Sequence, residues 1–325
     1  MTENRYPYLN ASSQLMLAEA EQRGVVCAPF EGTQVINMSY QGKNWYTAGS
    51  RSSFQSAIGQ TIADNKALSK VFIRQAGAPT AESIMVEKPI DLPKIATLQF
   101  PLVMKPLRGA HGEGVVIGLP DYGAAETAAL AQPGAVLFEE LLAGIEFRIV
   151  CVDFQFVAAA FRRPAEVVGD GVNTVQQLID QKNQHPWRQE GHKGQLTKIS
   201  VDATVLKNLA EQQLTLESIP TLNQSVPLRR TANLSTGGEA WDVTEQVCPE
   251  NRALFEQIAR TCDLNVIGID CMCQTLTTPI ATQPQAGIIE INKSPGLRMH
   301  HFPLQGQPIN MAGKIIDAVL KYATR

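Results

Sequence analysis

Residues 266–274 read VIGIDCMCQ and residues 286–292 read AGIIEIN. Both are short apolar runs rich in isoleucine, and both predict buried strands. Asp270 closes VIGID, while Glu290 and Asn292 stand two apart in IIEIN. Side chains at i and i+2 share one face of a strand. Two oxygen-bearing side chains on one face, beside an aspartate from a neighbouring strand, predict a hard-oxygen site. Magnesium that carries nucleotide phosphates takes few protein carboxylates and completes its shell with substrate oxygens. Unpaired acids on strands this apolar are costly, which counts against a merely solvated polar face.

Working back along the chain, FPLVMKP (100–106) predicts a buried strand running into the glycine-rich turn RGAHGEGVV (108–116). Lys105 ends that strand. Glycines let backbone N–H groups approach phosphate oxygens, and a nearby lysine supplies charge. The turn is not a P-loop, since G-x-x-x-x-G-K-[ST] is absent, and GEGVVIG misses G-x-G-x-x-G by one position. TAALAQ (127–132) predicts a helix and AVLFEEL (135–141) another strand. Upstream, DNKALSKVFIRQAGAP (64–79) predicts a helix capped by Asp64 or Asn65, with Leu68, Val71 and Phe72 inward. Gly77 and Pro79 stop it. Lys66 in its first turn is a second candidate cation, placed where the helix dipole disfavours it. Glu139, Glu140 and Glu146 flank LLAG and read either as a charged strand end, the default for any single glutamate, or as a hinge whose free backbone groups meet an adenine edge, with Glu146 accepting from ribose hydroxyls.

The rest alternates. SSQLMLAEAEQRG (12–24) predicts a helix capped by Ser12 or Ser13, and VVCAPF (25–30) a strand. EFRIVCVDFQFVAAAFR (146–162) predicts a long strand region, and VNTVQQLIDQKN (172–183) a helix. HPWRQEGHKGQLTK (185–198) is polar and without period. It reads equally as a solvated loop or as a substrate-facing one offering Arg188, His192, Lys193 and Lys198 to carboxylates. NLSTGG (233–238) is a small-residue loop. RALFEQIARTCDL (252–264) and AGKIIDAVLKYA (312–323) are amphipathic helices. His300 and His301 point oppositely if their segment is extended.

Composition restricts the function. The 325 residues carry 28 basic and 31 acidic side chains, a formal charge of −3, which removes a general electrostatic drive toward nucleic acid. The six cysteines form no C-x-x-C pair and read as reduced core residues. The N-terminus lacks a basic start and an apolar stretch, and no apolar run is long enough to span a bilayer. The expectation is a cytoplasmic protein with small-molecule partners, no nucleic acid and no membrane; a homo-oligomer is compatible with it.

The order Lys66, Lys105 with its glycine turn, FEELLAGIEF (138–147), Asp270 and EIN (290–292) resembles the ATP-grasp superfamily. Five longer strings narrow the likeness: RRPAEVVGDGVNTVQQLIDQKNQHP (162–186), LTKI (196–199), TANLSTGG (231–238), DVTEQVCPEN (242–251) and EINKSPGLRMH (290–300). They are similar to the ATP-grasp modules of cyanophycin synthetases and of bifunctional glutamate–cysteine ligase/glutathione synthetases, from about Ser12 to the C-terminus. The resemblance implies an α+β ATP-grasp fold. Its lobes are an N-terminal α/β lobe (1–78), a small central α+β lid (79–142) and a larger C-terminal α+β lobe (143–325). The chain departs from those enzymes in length: 325 residues leave no room for their further domains, and the expectation is a free-standing module.

The resemblance also implies roles. Lys66 and Lys105 contact ATP phosphates under the turn at Gly109, Gly112 and Gly114. Glu139 and the backbone of Glu140, Leu141 and Leu142 meet adenine, and Glu146 the ribose. Asp270, Glu290 and Asn292 hold magnesium, with manganese as an alternative. Arg162 sits beside the reacting carboxylate, and Asn233, Ser235, Thr236, Gly237, Gly238, Arg298 and His300 line the acceptor side. Arg162 and backbone donors of NLSTGG are candidate stabilisers of a tetrahedral oxyanion. The implied activity is ATP-dependent amide or peptide-bond formation between amino acids or short peptides. Addition of glycine to γ-glutamylcysteine, a phosphotransferase and a non-catalytic nucleotide-binding partner stand as alternatives.

Overall fold

A five-stranded antiparallel sheet forms the centre of the molecule. Its order is Glu239–Asp242, Gln155–Arg163, Ile145–Val152, Val266–Cys273, Gly287–Asn292. It is seen in a computed structural model that describes residues 5–107, 114–190 and 194–324. The region 146–162, expected as one long strand run, is a hairpin. Asp153 and Phe154, both at positive φ (51° and 62°), make its two-residue turn, whose twist suits antiparallel neighbours. Lys321 of the last helix holds Asp153 at 2.5 Å.

Alternation gives the sheet two faces of different character. One face sends Ile149, Cys151, Ile267, Ile269 and Cys271 under the helices Lys66–Gln75 and Pro249–Thr261. The other face is divided. Its far half, with Val150, Val152, Ala158 and Val266, is sealed by Met16 and Ala20 of the helix Ala11–Gln22 and by Ile315, Ile316 and Val319 of the helix Met311–Ala323. Its near half carries Glu146, Arg148, Arg162, Asp270, Glu290 and Asn292. A bulge makes this division possible: Asp270 opposes Glu290, but Cys271 opposes Ile288, leaving Ile289 as the extra residue. Ile288 and Ile291, three apart, therefore both enter the apolar core, while Glu290 and Asn292 take the polar face.

A second antiparallel sheet, ordered Ser83–Val86, Val136–Glu140, Leu102–Pro106, Val116–Leu119, packs Val86, Leu102, Met104 and Phe138 against the helix Tyr122–Leu130 and the 3-10 segment Pro89–Thr97. Its other face carries Lys105 and Glu139. Between residues 165 and 228 a small unit has its own core, including Val167, Val175, Ile179, Val205 and Val226.

Several local expectations change. The first helix is capped by Asn10, whose side chain accepts from the Ser13 amide at 2.9 Å, and not by Ser12 or Ser13. Ser13 is buried against the strands that follow, with its hydroxyl accepting from the Gly49 amide at 3.1 Å. Asn65 caps the helix Lys66–Gln75, accepting from Ala67 and Leu68, both at 3.1 Å. On that helix Val71 is 46% exposed and Lys70 only 2%, so the inner face is rotated from the expected Leu68, Val71, Phe72 stripe. The antiparallel meander Val35–Tyr40, Lys43–Ala48, Arg51–Ser52 and the helix Ala57–Asp64 were not anticipated. Among the described residues no helix is long and apolar enough to cross a membrane.

Ile267 is fully buried at the middle of the larger core. Ile267→Ala is expected to lower stability by about 2–5 kcal/mol, read from the urea midpoint at unchanged m-value. A loss under about 1 kcal/mol contradicts this placement of the core.

Candidate active site

The polar half of the sheet is built by register. Arg148 stands opposite Asp270, and Asp270 opposite Glu290, on three adjacent strands. The Arg148 guanidinium engages both carboxylate oxygens of Asp270, through Nε and, at 2.7 Å, Nη2. Arg162 Nη1 reaches Asp270 at 3.4 Å and Glu146 at 2.6 Å, while its Nε donates to the Ala232 carbonyl at 3.0 Å. Asn292 donates to Asp270 at 3.2 Å.

These contacts set the charges. Burial alone pushes the Asp270 carboxyl upward, but Arg148 and Arg162 hold it below the usual range. Glu290 moves the other way, raised by burial and by Asp270, with Lys105, Arg148 and Lys66 opposing the rise. Glu146 is also raised, since burial and Asp270 outweigh Arg162. Two neighbouring carboxyls pushed apart in this way are typical of functional sites.

The four-stranded sheet supplies a second cluster. Lys105 Nζ lies 2.7 Å from Glu139 Oε2, and Lys70 Nζ lies 3.3 Å from Glu139 Oε1. Lys70 also donates to the Thr80 hydroxyl at 2.8 Å, and that hydroxyl donates to the Ile288 carbonyl at 2.7 Å. Lys66 opens the helix that carries Lys70, and its charge reaches Glu290 together with that of Lys105. Both expected lysines are therefore brought to the carboxylate pair. Gly114 has φ 70°, and a Cβ there would meet Pro106 at 2.8 Å. Gly109 and Gly112 lie outside the described residues.

The hinge differs from expectation in detail. Glu139, expected at the adenine edge, is held between two ammonium groups instead. The Glu140 amide is spent on the Glu82 carbonyl at 3.0 Å, and its carboxylate accepts from the Gln99 amide at 2.9 Å. Among the described residues the Leu141 and Leu142 amides have no partner in the chain, which leaves them available to a ligand edge. Gly144, at φ 124°, presses against the Cys273 backbone where no side chain fits. Glu146, expected at a ribose, is paired with Arg162.

On the acceptor side Asn233 organises its own loop. It accepts from Ser235 through its side chain and from Thr236 and Gly238 through its carbonyl, while Gly237 donates to Leu234. The amides of residues 235–238 are thus bonded within the loop. Arg298 donates to the Gly194 carbonyl and to the Thr197 hydroxyl, both at 3.0 Å. Arg188 is buried and donates to the carbonyls of Thr197 and Gly237 and to Glu239, so this part of 185–198 is no solvated loop. His192 and Lys193 lie outside the described residues. His300 and His301 sit in a short helix, Arg298–His301, rather than an extended segment. His301 accepts from the Ala312 amide at 3.0 Å. His300 is 2% exposed, and among the described residues its Nε2 has no hydrogen-bond partner. A cleft of about 410 Å³ lined by Lys182, Arg188 and Glu239 lies away from this chemistry. Glu239 stands opposite Arg163 in the strand register, on the sheet face opposite to that of Arg162.

Arg148 and Lys70 were missed by sequence reading. Both had a signal: Arg148 stands two residues after Glu146 on a strand, and Lys70 four after Lys66 on a helix. The donor set suits magnesium better than an all-protein metal centre. Among the described residues no three His, Cys, Asp or Glu side chains gather around one point. Two carboxylates and an amide oxygen are what an ion retaining water and phosphate ligands needs.

His300 also makes a prediction about acid. Burial, with the nearby charges of Arg148 and His301, lowers it from 6.5 to about 3. The unfolded chain takes up this proton as pH falls through 6.5, and the folded chain only near 3. Its contribution to stability is therefore lost as pH falls across that window. His300→Gln is expected to flatten the decline in urea midpoint between pH 6.5 and 4, and equal slopes contradict it.

No family model matches the chain. It is 33% identical over 316 residues to cyanophycin synthetase of Crocosphaera subtropica, covering 95% of this chain and 36% of that protein. It is 30% identical over 317 residues to the glutathione biosynthesis bifunctional protein GshAB of Mannheimia succiniciproducens, covering 92% and 41%. The chain thus spans roughly two fifths or less of the curated relatives it matches. Among solved structures, a bifunctional glutathione synthetase from Pasteurella multocida matches with TM-score 0.73 and 28% identity, over 97% of this chain and 44% of that one. D-alanine–D-alanine ligase from Bacillus anthracis matches in fold, with TM-score 0.51 and 14% identity over 83% and 70%. The chain has an ATP-grasp fold and is similar, along nearly all its length, to part of these synthetases.

Proposed function

We propose that the chain is an ATP-dependent carboxylate–amine ligase that joins amino acids or short peptides through an acyl phosphate. The observation that carries this reading is the convergence of Lys66 and Lys105 on a buried carboxylate pair whose aspartate is already neutralised by arginines. A carboxylate is a poor acyl donor because its leaving group would be oxide. Transfer of the γ-phosphoryl group makes an acyl phosphate and ADP. An amine then attacks the carbonyl carbon, the C–O bond to phosphate breaks, and the amine loses a proton.

Catalysis of the first step is charge neutralisation and positioning. Lys66 and Lys105 cover the phosphates, and the amides of Leu141 and Leu142 meet the adenine edge. Asp270, Glu290 and the Asn292 amide oxygen hold magnesium, which when bound screens the phosphate charge. Arg162 orients the reacting carboxylate and stabilises the tetrahedral oxyanion. For this it turns from Glu146, which then becomes free for a ribose hydroxyl. Asn233, Ser235, Thr236, Gly237 and Gly238 shape the acceptor pocket, with Arg298 behind them and the unprotonated His300 beside it.

The likeness to a bifunctional glutathione synthetase makes γ-glutamylcysteine with glycine the first pair to try. Amino acids and dipeptides tested pairwise with ATP and magnesium are expected to release phosphate in one combination. The product mass should be the two substrates less one water. A product heavier by one phosphate indicates a phosphotransferase, and nucleotide binding without turnover on any pair indicates a non-catalytic partner. Lys105→Met is expected to reduce the productive rate by at least about 100-fold.

A further inference from the structure

Glu139 is a buried carboxylate with a different cation on each oxygen, and the two cations are held differently. Lys105, at Oε2, stands near the end of the strand Leu102–Pro106, and Glu139 is its hydrogen-bond partner among the described residues. Lys70, at Oε1, is fixed from a second side by the Thr80 hydroxyl, itself anchored on the Ile288 carbonyl. Its side chain is 2% exposed against 11% for Lys105. The chain of contacts therefore runs from the strands of Lys105 and Glu139 through the helix Lys66–Gln75 to the strand of Glu290.

We propose that Lys70 is a positioning residue of the nucleotide site: it stays on Glu139 as a fixed counter-cation, so that Lys105 can leave for the phosphates of ATP. This rests on the nucleotide-binding reading above. A buried carboxylate that loses its partner is strongly penalised. With Lys70 in place, departure of Lys105 leaves a matched pair behind. Without Lys70, Glu139 has one cation left, and Lys105 is held on it and away from phosphate. Lys70 also ties Glu139 to the strand bearing Glu290 and Asn292, which fixes the spacing between Lys105 and the carboxylate pair. Burial lowers Lys70 to about 8 while Glu139 acts to keep it charged, in keeping with a lysine retained for its partner.

The test is calorimetric titration of ATP and of adenosine, at fixed magnesium, into wild type, Lys70→Met, Glu139→Gln and the double variant. Lys70→Met is expected to weaken ATP by at least about tenfold, the scale of one charge-assisted hydrogen bond, and adenosine by less than about twofold. Removing the Glu139 charge releases Lys105 again. The double variant is therefore expected to bind ATP within about threefold of Glu139→Gln alone. Unchanged ATP affinity in a folded Lys70→Met protein overturns the proposal. So does a parallel loss of ATP and adenosine, or an additive loss in the double variant, as a purely structural lysine would give. If Lys70→Met does not fold, Thr80→Val is measured in the same way: a selective loss for ATP supports the proposal and an unchanged affinity overturns it. A wild-type protein that binds neither ligand refutes the nucleotide reading itself, a result distinct from all of these.

Discussion

Asp270 sits in the middle of a five-stranded sheet with 2% of its surface exposed, and an isolated carboxylate there would be expensive. Register supplies the remedy. Arg148, directly opposite on the neighbouring strand, engages both oxygens, and Arg162 and Asn292 approach from the sides. The aspartate is thereby kept ionised, and a second carboxyl, Glu290, is placed beside it with nothing like the same compensation. That imbalance is what the site offers to a cation and to phosphate. The other half of this sheet face is sealed with apolar side chains.

The cluster around Glu139 depends on the same strand. Thr80 bridges to Ile288, the residue at the bulge, so the placement of Lys70 and Glu139 and the orientation of Glu290 have a common anchor. The bulge thus has two consequences: it turns Glu290 and Asn292 onto the polar face, and it gives the helix Lys66–Gln75 a fixed point on the sheet. Most ionic partners in the site are at present other protein groups. Lys105 lies on Glu139, and Arg162 on Glu146. A ligand that carries several negative charges is suited to exchange for both.

Much of this was legible in the sequence, and the limits have physical causes. Period-two spacing was enough to put Glu290 and Asn292 on one face and to bring Asp270 to them. The bulge was not legible, because strict alternation would have sent Ile288 to the polar side with them. Arg148 was passed over inside an apolar run, although its spacing from Glu146 marked its face. Nothing local marks Lys70, since a lysine on a helix is usually solvated; only a buried partner contributed by another part of the chain makes its burial tolerable. The residue types at Glu139 and Glu146 were noticed, but their partners come from across the fold and cannot be read from local spacing. At the N-terminus the alternation of Ile36 and Met38 with Trp45 and Thr47 would have revealed the meander, had it been weighed against the helices on either side.

On the proposed function, Glu290, next to a neutralised Asp270, is the group through which magnesium strengthens nucleotide binding. Titrating ATP at increasing magnesium into wild type and Glu290→Gln tests it directly. The account predicts that magnesium tightens ATP binding by at least about tenfold in wild type and that most of this gain disappears in Glu290→Gln. The same gain in both proteins would contradict it.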